Sequence, residues 1–221
     1  MHEKLENPFQ VHPDWHHNAC ISDSLQYWEL GYQYVCAADA LVQETVDDTS
    51  LLDVYVSPLC YLYRLAVELF LKDLFWQSHF LAHGERKLPK MTHNLSELWK
   101  KLSADAQAVL GPAFPLSMQD TNLLKQLLVQ IEDHDPRSDA FRFPFDAKGN
   151  RSHPSLRHVN VRSLSKNVHQ AVDLLGNLKE LVMDSYLAKS EKTVGQDAAP
   201  NVGTARASGS SKVTEWPSLV N

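Results

Sequence analysis

Residues Pro58 to Trp76, reading PLCYLYRLAVELFLKDLFW, constrain this chain more than any other stretch. Leu62, Ala66, Leu69, Phe70 and Leu74 recur at helical spacing, which predicts a helix. Nearly every other position is apolar too, so the helix has to be covered on most sides and the remaining elements arranged around it. By its own length and charge the stretch is expected not to span a bilayer. Its charges are Arg64, Glu68, Lys72 and Asp73. Arg64, Glu68 and Lys72 lie four residues apart, on one helix face. A glutamate between two cations is paired on both sides, which offsets the cost of burying it. Two readings follow: an intrahelical salt-bridge ladder facing the last helix, or a polar seam used by a site.

The 221 residues suffice for one well-buried domain with tails. A content of 43% hydrophobic and 22% charged residues is ordinary for a soluble protein. No run of eighteen apolar residues occurs, and Met1 to Gln10 does not read as a signal peptide, so no membrane partner is expected. Cys20, Cys36 and Cys60 lack metal-type spacing; they predict buried thiols in a reducing, cytoplasmic setting.

Residues 1–18, with Pro8 and Pro13, read as an extended lead-in. A helix over roughly Ser22 to Thr45 follows, with Leu30, Tyr34, Ala37 and Leu41 as its stripe. The central helix is expected from near Val54 to about Ala82, with Gly84 as terminator. After a basic loop from Glu85 to Lys90, Asn94 and Glu97 form a capping box for a short helix, and Ser103 could cap another to Leu110. Ser117 caps the next, whose stripe is Leu123, Leu124, Leu127, Leu128 and Ile131. Phe141, Phe143 and Phe145 alternate, as do Val159 and Val161, which suggests two extended pieces. Asn160 can cap a last helix from Val161 to Lys189, with a stripe of Leu164, Val168, Ala171, Leu175, Leu178 and Val182. Residues 190–221 read as a disordered tail, dispensable for folding. The expected architecture is all-α: an antiparallel helical bundle of four to five helices over residues 19–189, with a short extended or hairpin insert before the last helix.

The net charge of −6 hides an asymmetry. From Arg137 to Lys166, seven basic residues face only Asp139 and Asp146, so this window is +5 and the rest of the chain −11. Such a segment is a candidate anion or nucleic-acid surface, with an ordinary solvated loop as the alternative. Phe141, Phe143 and Phe145 could stack bases there or pack under the loop.

The segments YLYRLAVELFLKDLF, HNLSELWKKL and IEDHDPRSDAFRFPFD, followed by an amphipathic last helix, resemble the HEPN superfamily, specifically uncharacterised bacterial HEPN-like proteins with R-x-x-x-E-x-x-L-K and a following H-x-L. The resemblance covers about Leu51 to Tyr186. It implies a four- or five-helix bundle, often a homodimer, acting as a partner-, nucleotide- or RNA-binding protein of a bacterial defence, toxin or stress system. An antitoxin or a nucleotidyltransferase is the partner it suggests. Many superfamily members resemble metal-independent endoribonucleases with an R-x(4–6)-H motif, which implies Arg162 and His169 as catalytic candidates here. Six residues separate them, nearly two helical turns, which puts both on one face. Ser163 follows Arg162, where the family commonly has Asn, Asp or His; Arg151 to His158 has the same spacing but is interrupted by Pro154. A structural dimer is the third reading. Candidate binding residues are Arg64, Glu68, Lys72, His93, Arg137, Arg142, Arg151 and Arg157.

His79 and His83 stand four apart, a spacing that can grip a metal. No Glu follows His79 and no third ligand is evident beyond His93, so a surface pair is expected. Asp133, His134 and Asp135 could resemble a base with an orienting carboxylate, but a polar cluster ending a helix explains them more cheaply. No P-loop, G-x-G-x-x-G, G-x-S-x-G or zinc-type cysteine pair occurs. Neither a cofactor nor a metal is expected.

Overall fold

The structure, a computed structural model, describes Ala19, Ser22, residues 26–84 and residues 90–197. The expected lead-in, Cys20 and most of the 85–90 loop lie outside the described residues, as does the tail beyond 197. The described residues form five α-helices: α1 (Tyr27–Asp47), α2 (Leu52–His83), α3 (Leu95–Leu110), α4 (Met118–Glu132) and α5 (Val161–Asp197). The chain is all-α, and no strand occurs among the described residues.

Helix α2 contacts α1, α3 and α5, while α4 lies against α3 and α5. That is the covering its all-round apolarity demands. Leu59, Tyr63, Ala66, Val67, Phe70, Leu71 and Leu74 are all fully buried. The helix is longer than the apolar stretch suggests. Pro58 lies inside it and removes one main-chain donor. Gly84 ends it at φ 72°, a left-handed conformation that glycine adopts without a Cβ clash. Over the longer segment Thr49–His83 the chain is long and apolar enough to cross a membrane by length and composition. Of its most apolar 18-residue window, 56% is buried inside the protein.

Tyr34 and Leu41 of the expected stripe on α1 are partly buried against the core, but the fully buried face is centred one position further on. Gly31, Val35, Ala38 and Thr45 are buried, Trp28 and Val42 partly so, and Ala37 is exposed. Gly31 decides this: a Cβ there would lie 2.9 Å from Phe70 Cε1 and 3.2 Å from the Ala66 carbonyl oxygen. Trp28 then meets the Phe70 ring at 4.5 Å between centroids.

Helix α3 is one continuous helix instead of two short ones. Ser103 sits inside it and donates to the Lys100 carbonyl. Asn94 caps it, accepting from Glu97 N at 2.6 Å. Glu97 pairs with Lys101 at 2.6 Å, and Glu132 from the end of α4 takes the Ser96 N–H at 3.1 Å. In α4 the Ser117–Asp120 capping box is complete. On α5 the expected stripe is buried from Val168 to Val182, and the Asn160 side chain accepts from Ser163 N. The helix continues past Lys189 to Asp197, so the segment expected to be a tail begins helical. Lys189 donates to the carbonyls of Phe80 and Leu81, capping α2 from the neighbouring helix.

The extended insert reduces to one antiparallel bridge, Phe145 with Arg151, closed by a turn in which Asp146 N donates to the Asn150 carbonyl and Gly149 has φ 83°. Val161 is not extended; it opens α5 and is buried.

Candidate functional site

The ladder on α2 exists and is buried. Arg64 is fully buried, Glu68 is 2% exposed and Lys72 13% exposed. Arg64 Nη1 donates to one Glu68 oxygen, and Lys72 Nζ reaches the other at 2.5 Å. The ladder does not face the last helix. Arg64 Nη2 donates to the His93 carbonyl at 2.6 Å and Nε to the Asp135 carbonyl at 2.9 Å. His93 Nδ1 lies 2.9 Å from Glu68. Burial pushes the Glu68 carboxyl up, but the hydrogen bonds from Lys72 and Arg64 outweigh it and hold it below its ordinary value. The charge of α2 that meets the last helix is Asp73, which accepts from Lys179.

Asp135 is the partner that a helix-ending cluster concealed. It is fully buried, with Oδ2 at 3.4 Å from Arg64 Nε. Its Oδ1 accepts from the main-chain N–H groups of Asp139 and Ala140, both at 2.9 Å. These bonds hold a turn in which Ser138 has φ 64°. The residue that follows the turn is Phe141. A side chain buried in the loop just after α4 thus holds the turn that leads into the basic segment.

Two hollows meet at that segment. One is a cavity of about 90 Å³, walled by Arg64, Cys60, Leu127, Ile131 and Leu164 among others. It is far below the roughly 300 Å³ or more of a pocket for an organic ligand. Burial pushes the Cys60 thiol there up to about 12, with the Asp135 charge adding to the effect. The other is a groove of about 570 Å³ between the end of α1, the start of α2 and residues 153–162. Phe141, Leu156 and Val159 wall both. His153, Arg157, His158 and Arg162 bring positive or titratable groups into the groove, with Asp53 as its acidic member. Asn160, Val161 and Arg162 are the cap and first residues of α5, so the helix N-terminus with its partial positive charge opens into the same space.

The remaining candidates spread over the neighbouring surface. The Arg142 guanidinium lies 4.9 Å from the Phe143 ring centroid, and that of Arg151 5.6 Å from Phe145. Phe143 and Phe145 are each 50% exposed, so they do not pack under the loop; only Phe141 is partly buried, stacked on His153 at 4.3 Å. Arg137 pairs with Asp139 at 3.3 Å on the surface. Cys36 is exposed, contrary to the expectation of buried thiols, whereas Cys60 is buried.

His169 is not among the walls of the groove that Arg162 borders. Its Nε2 lies 3.0 Å from Asp39 Oδ1 on α1. Tyr63 donates to the same oxygen at 2.6 Å. The bond to Asp39 raises the His169 pKa, against the opposing effect of burial. Asp39 carried no sequence signal; its position on α1 meets α5 only through the fold. No family model, curated protein or solved structure matches this chain.

Proposed function

We propose that this chain is a HEPN-like helical module that binds a phosphate-bearing ligand, an RNA strand or nucleotide, with the basic segment Arg137 to Lys166. The observation that carries the reading is the groove at the α5 N-terminus, where Arg157, Arg162 and a helix dipole converge on space large enough for a nucleotide. The exposed Phe143 and Phe145, each beside an arginine, supply stacking faces next to it. A cytoplasmic role in a defence, toxin or stress system, with an antitoxin or nucleotidyltransferase as partner and a homodimer as the working form, belongs to the same proposal.

The test is fluorescence anisotropy of labelled single-stranded RNA and of a labelled nucleotide against the full chain. Binding weakens steeply between about 50 and 200 mM salt, because phosphate contacts release counterions. Arg157→Ala with Arg162→Ala weakens it at least about tenfold at low salt, as removal of two phosphate contacts should. A wild type that binds neither probe at low salt, or a double variant that binds as well as wild type, overturns the reading.

A second reading, a metal-independent endoribonuclease, is favoured by the Asp39–His169 pair, since a carboxylate that orients an imidazole suits a proton-transfer role. It requires His169→Ala and Arg162→Ala each to abolish RNA cleavage that EDTA leaves untouched. Cleavage retained in either variant removes these residues from the chemistry.

A further inference from the structure

We propose that His79, His83 and Asp105 form a binding site for a divalent transition metal, with zinc the ion whose chemistry fits it. His79 and His83 sit on the last turns of α2, four residues apart, so their rings emerge on one face. Asp105 comes from the middle of α3 and supplies the third donor. His79 Nδ1 lies 3.0 Å from Asp105 Oδ2, and His83 Nε2 lies 3.0 Å from Oδ1. The three ligand atoms all lie within 4.8 Å of one another. Zinc bonds to imidazole nitrogen and carboxylate oxygen measure about 2.0 to 2.2 Å, which sets tetrahedral ligands about 3.3 Å apart. The three donors therefore need to move by only fractions of an ångström to about one ångström, within the reach of side-chain rotation.

The donor set agrees with the geometry. Two imidazoles and one carboxylate suit zinc and other borderline divalent ions, and are too nitrogen-rich for magnesium or calcium. The ligands are graded from inside to outside. Asp105 is 17% exposed, His79 21% and His83 48%, so the fourth coordination position opens to solvent. The His79 ring packs against Phe75 at 5.6 Å between centroids, which steadies the inner ligand. Without an ion, the carboxylate accepts a hydrogen bond from each imidazole. With one, both nitrogens turn their lone pairs to the metal and the ion ties the end of α2 to α3.

The full chain is titrated with zinc against a chromophoric chelator, and its melting is followed with zinc and with EDTA. Wild type takes up one zinc per chain at this site and melts higher with zinc. His83→Gln and Asp105→Asn, each at a partly exposed position, keep the helical circular dichroism but weaken zinc uptake at least tenfold and lose the zinc-dependent rise in melting. With cobalt, wild type shows the intense visible bands of a four-coordinate ion, and the His83→Gln, Asp105→Asn double variant does not. A wild type that takes up no zinc overturns the proposal. So does a folded double variant that binds zinc with unchanged affinity, which would place the ion on other histidines among the chain's eleven.

Discussion

Arg64 Nε lies 2.9 Å from the carbonyl oxygen of Asp135 and 3.4 Å from its carboxylate. The two residues are 71 positions apart in sequence and both are fully buried. Arg64 also holds the His93 carbonyl and Glu68, so one guanidinium fastens the start of α3, the loop after α4 and its own helix. Its planar fork of donors suits this branching role in a way that a lysine ammonium does not.

Removing Glu68 leaves Arg64 buried without its carboxylate on α2. Glu68→Leu is therefore expected to lower stability by about 3–5 kcal/mol, the range for breaking a buried pair from one side. Urea unfolding followed by circular dichroism measures it, and Arg64→Lys is expected to lose stability as well despite keeping the charge.

The Glu68 carboxyl is held below its ordinary value of 4.5 in the folded protein. Its contribution is present above that value and is lost as pH falls through the depressed folded pKa. Melting curves of wild type and Glu68→Gln thus differ at neutral pH and converge in acid. His169 runs the opposite way. Its pKa is raised above 6.5 by Asp39, so the pair's contribution is full below that value and is lost as pH rises through the raised one. In a proton NMR titration Asp39→Asn lowers the His169 pKa.

Gly31 and Gly176 make a matched pair. Both lie in helices, where alanine is favoured by about 1 kcal/mol. A Cβ at Gly176 meets nothing within 4 Å, so Gly176→Ala is expected to stabilise by about 0.5–1 kcal/mol. At Gly31 the added carbon meets the buried Phe70 ring at 2.9 Å and main chain at 3.2 Å. Gly31→Ala is expected to cost about 1–3 kcal/mol, the usual range for overpacking. Thermal melts of the two variants should move in opposite directions.

Asp135 holds the turn before Phe141, which walls the groove. Asp135→Ala removes the carboxylate beside Arg64 and both turn bonds, an expected loss of about 3–5 kcal/mol. If the groove binds RNA as proposed, this variant also binds RNA more weakly at a temperature where it is still folded, although Asp135 does not line the groove. Anisotropy beside circular dichroism separates the two effects.

The sequence by itself determined where the helices lie and several of their ends, but neither the single run of α3 nor the extension of α5 to Asp197. Apolar spacing, Asn94, Ser117, Asn160 and Gly84 act within a few residues, and such local preferences are readable without a fold. It also determined that Arg64, Glu68 and Lys72 share a face, because helical periodicity alone puts them there. The tertiary structure decided what that face meets. Asp135, His93 and the Arg64 fork come together through α3 and the loop after α4, and no local spacing connects them. The fully buried face of α1 was decided in the same way, since Gly31 matters only once Phe70 stands opposite it. Asp39 beside His169 and Asp105 beside His79 and His83 are contacts between helices far apart in the chain. Periodicity says which residues share one helix face; only packing says which two faces meet.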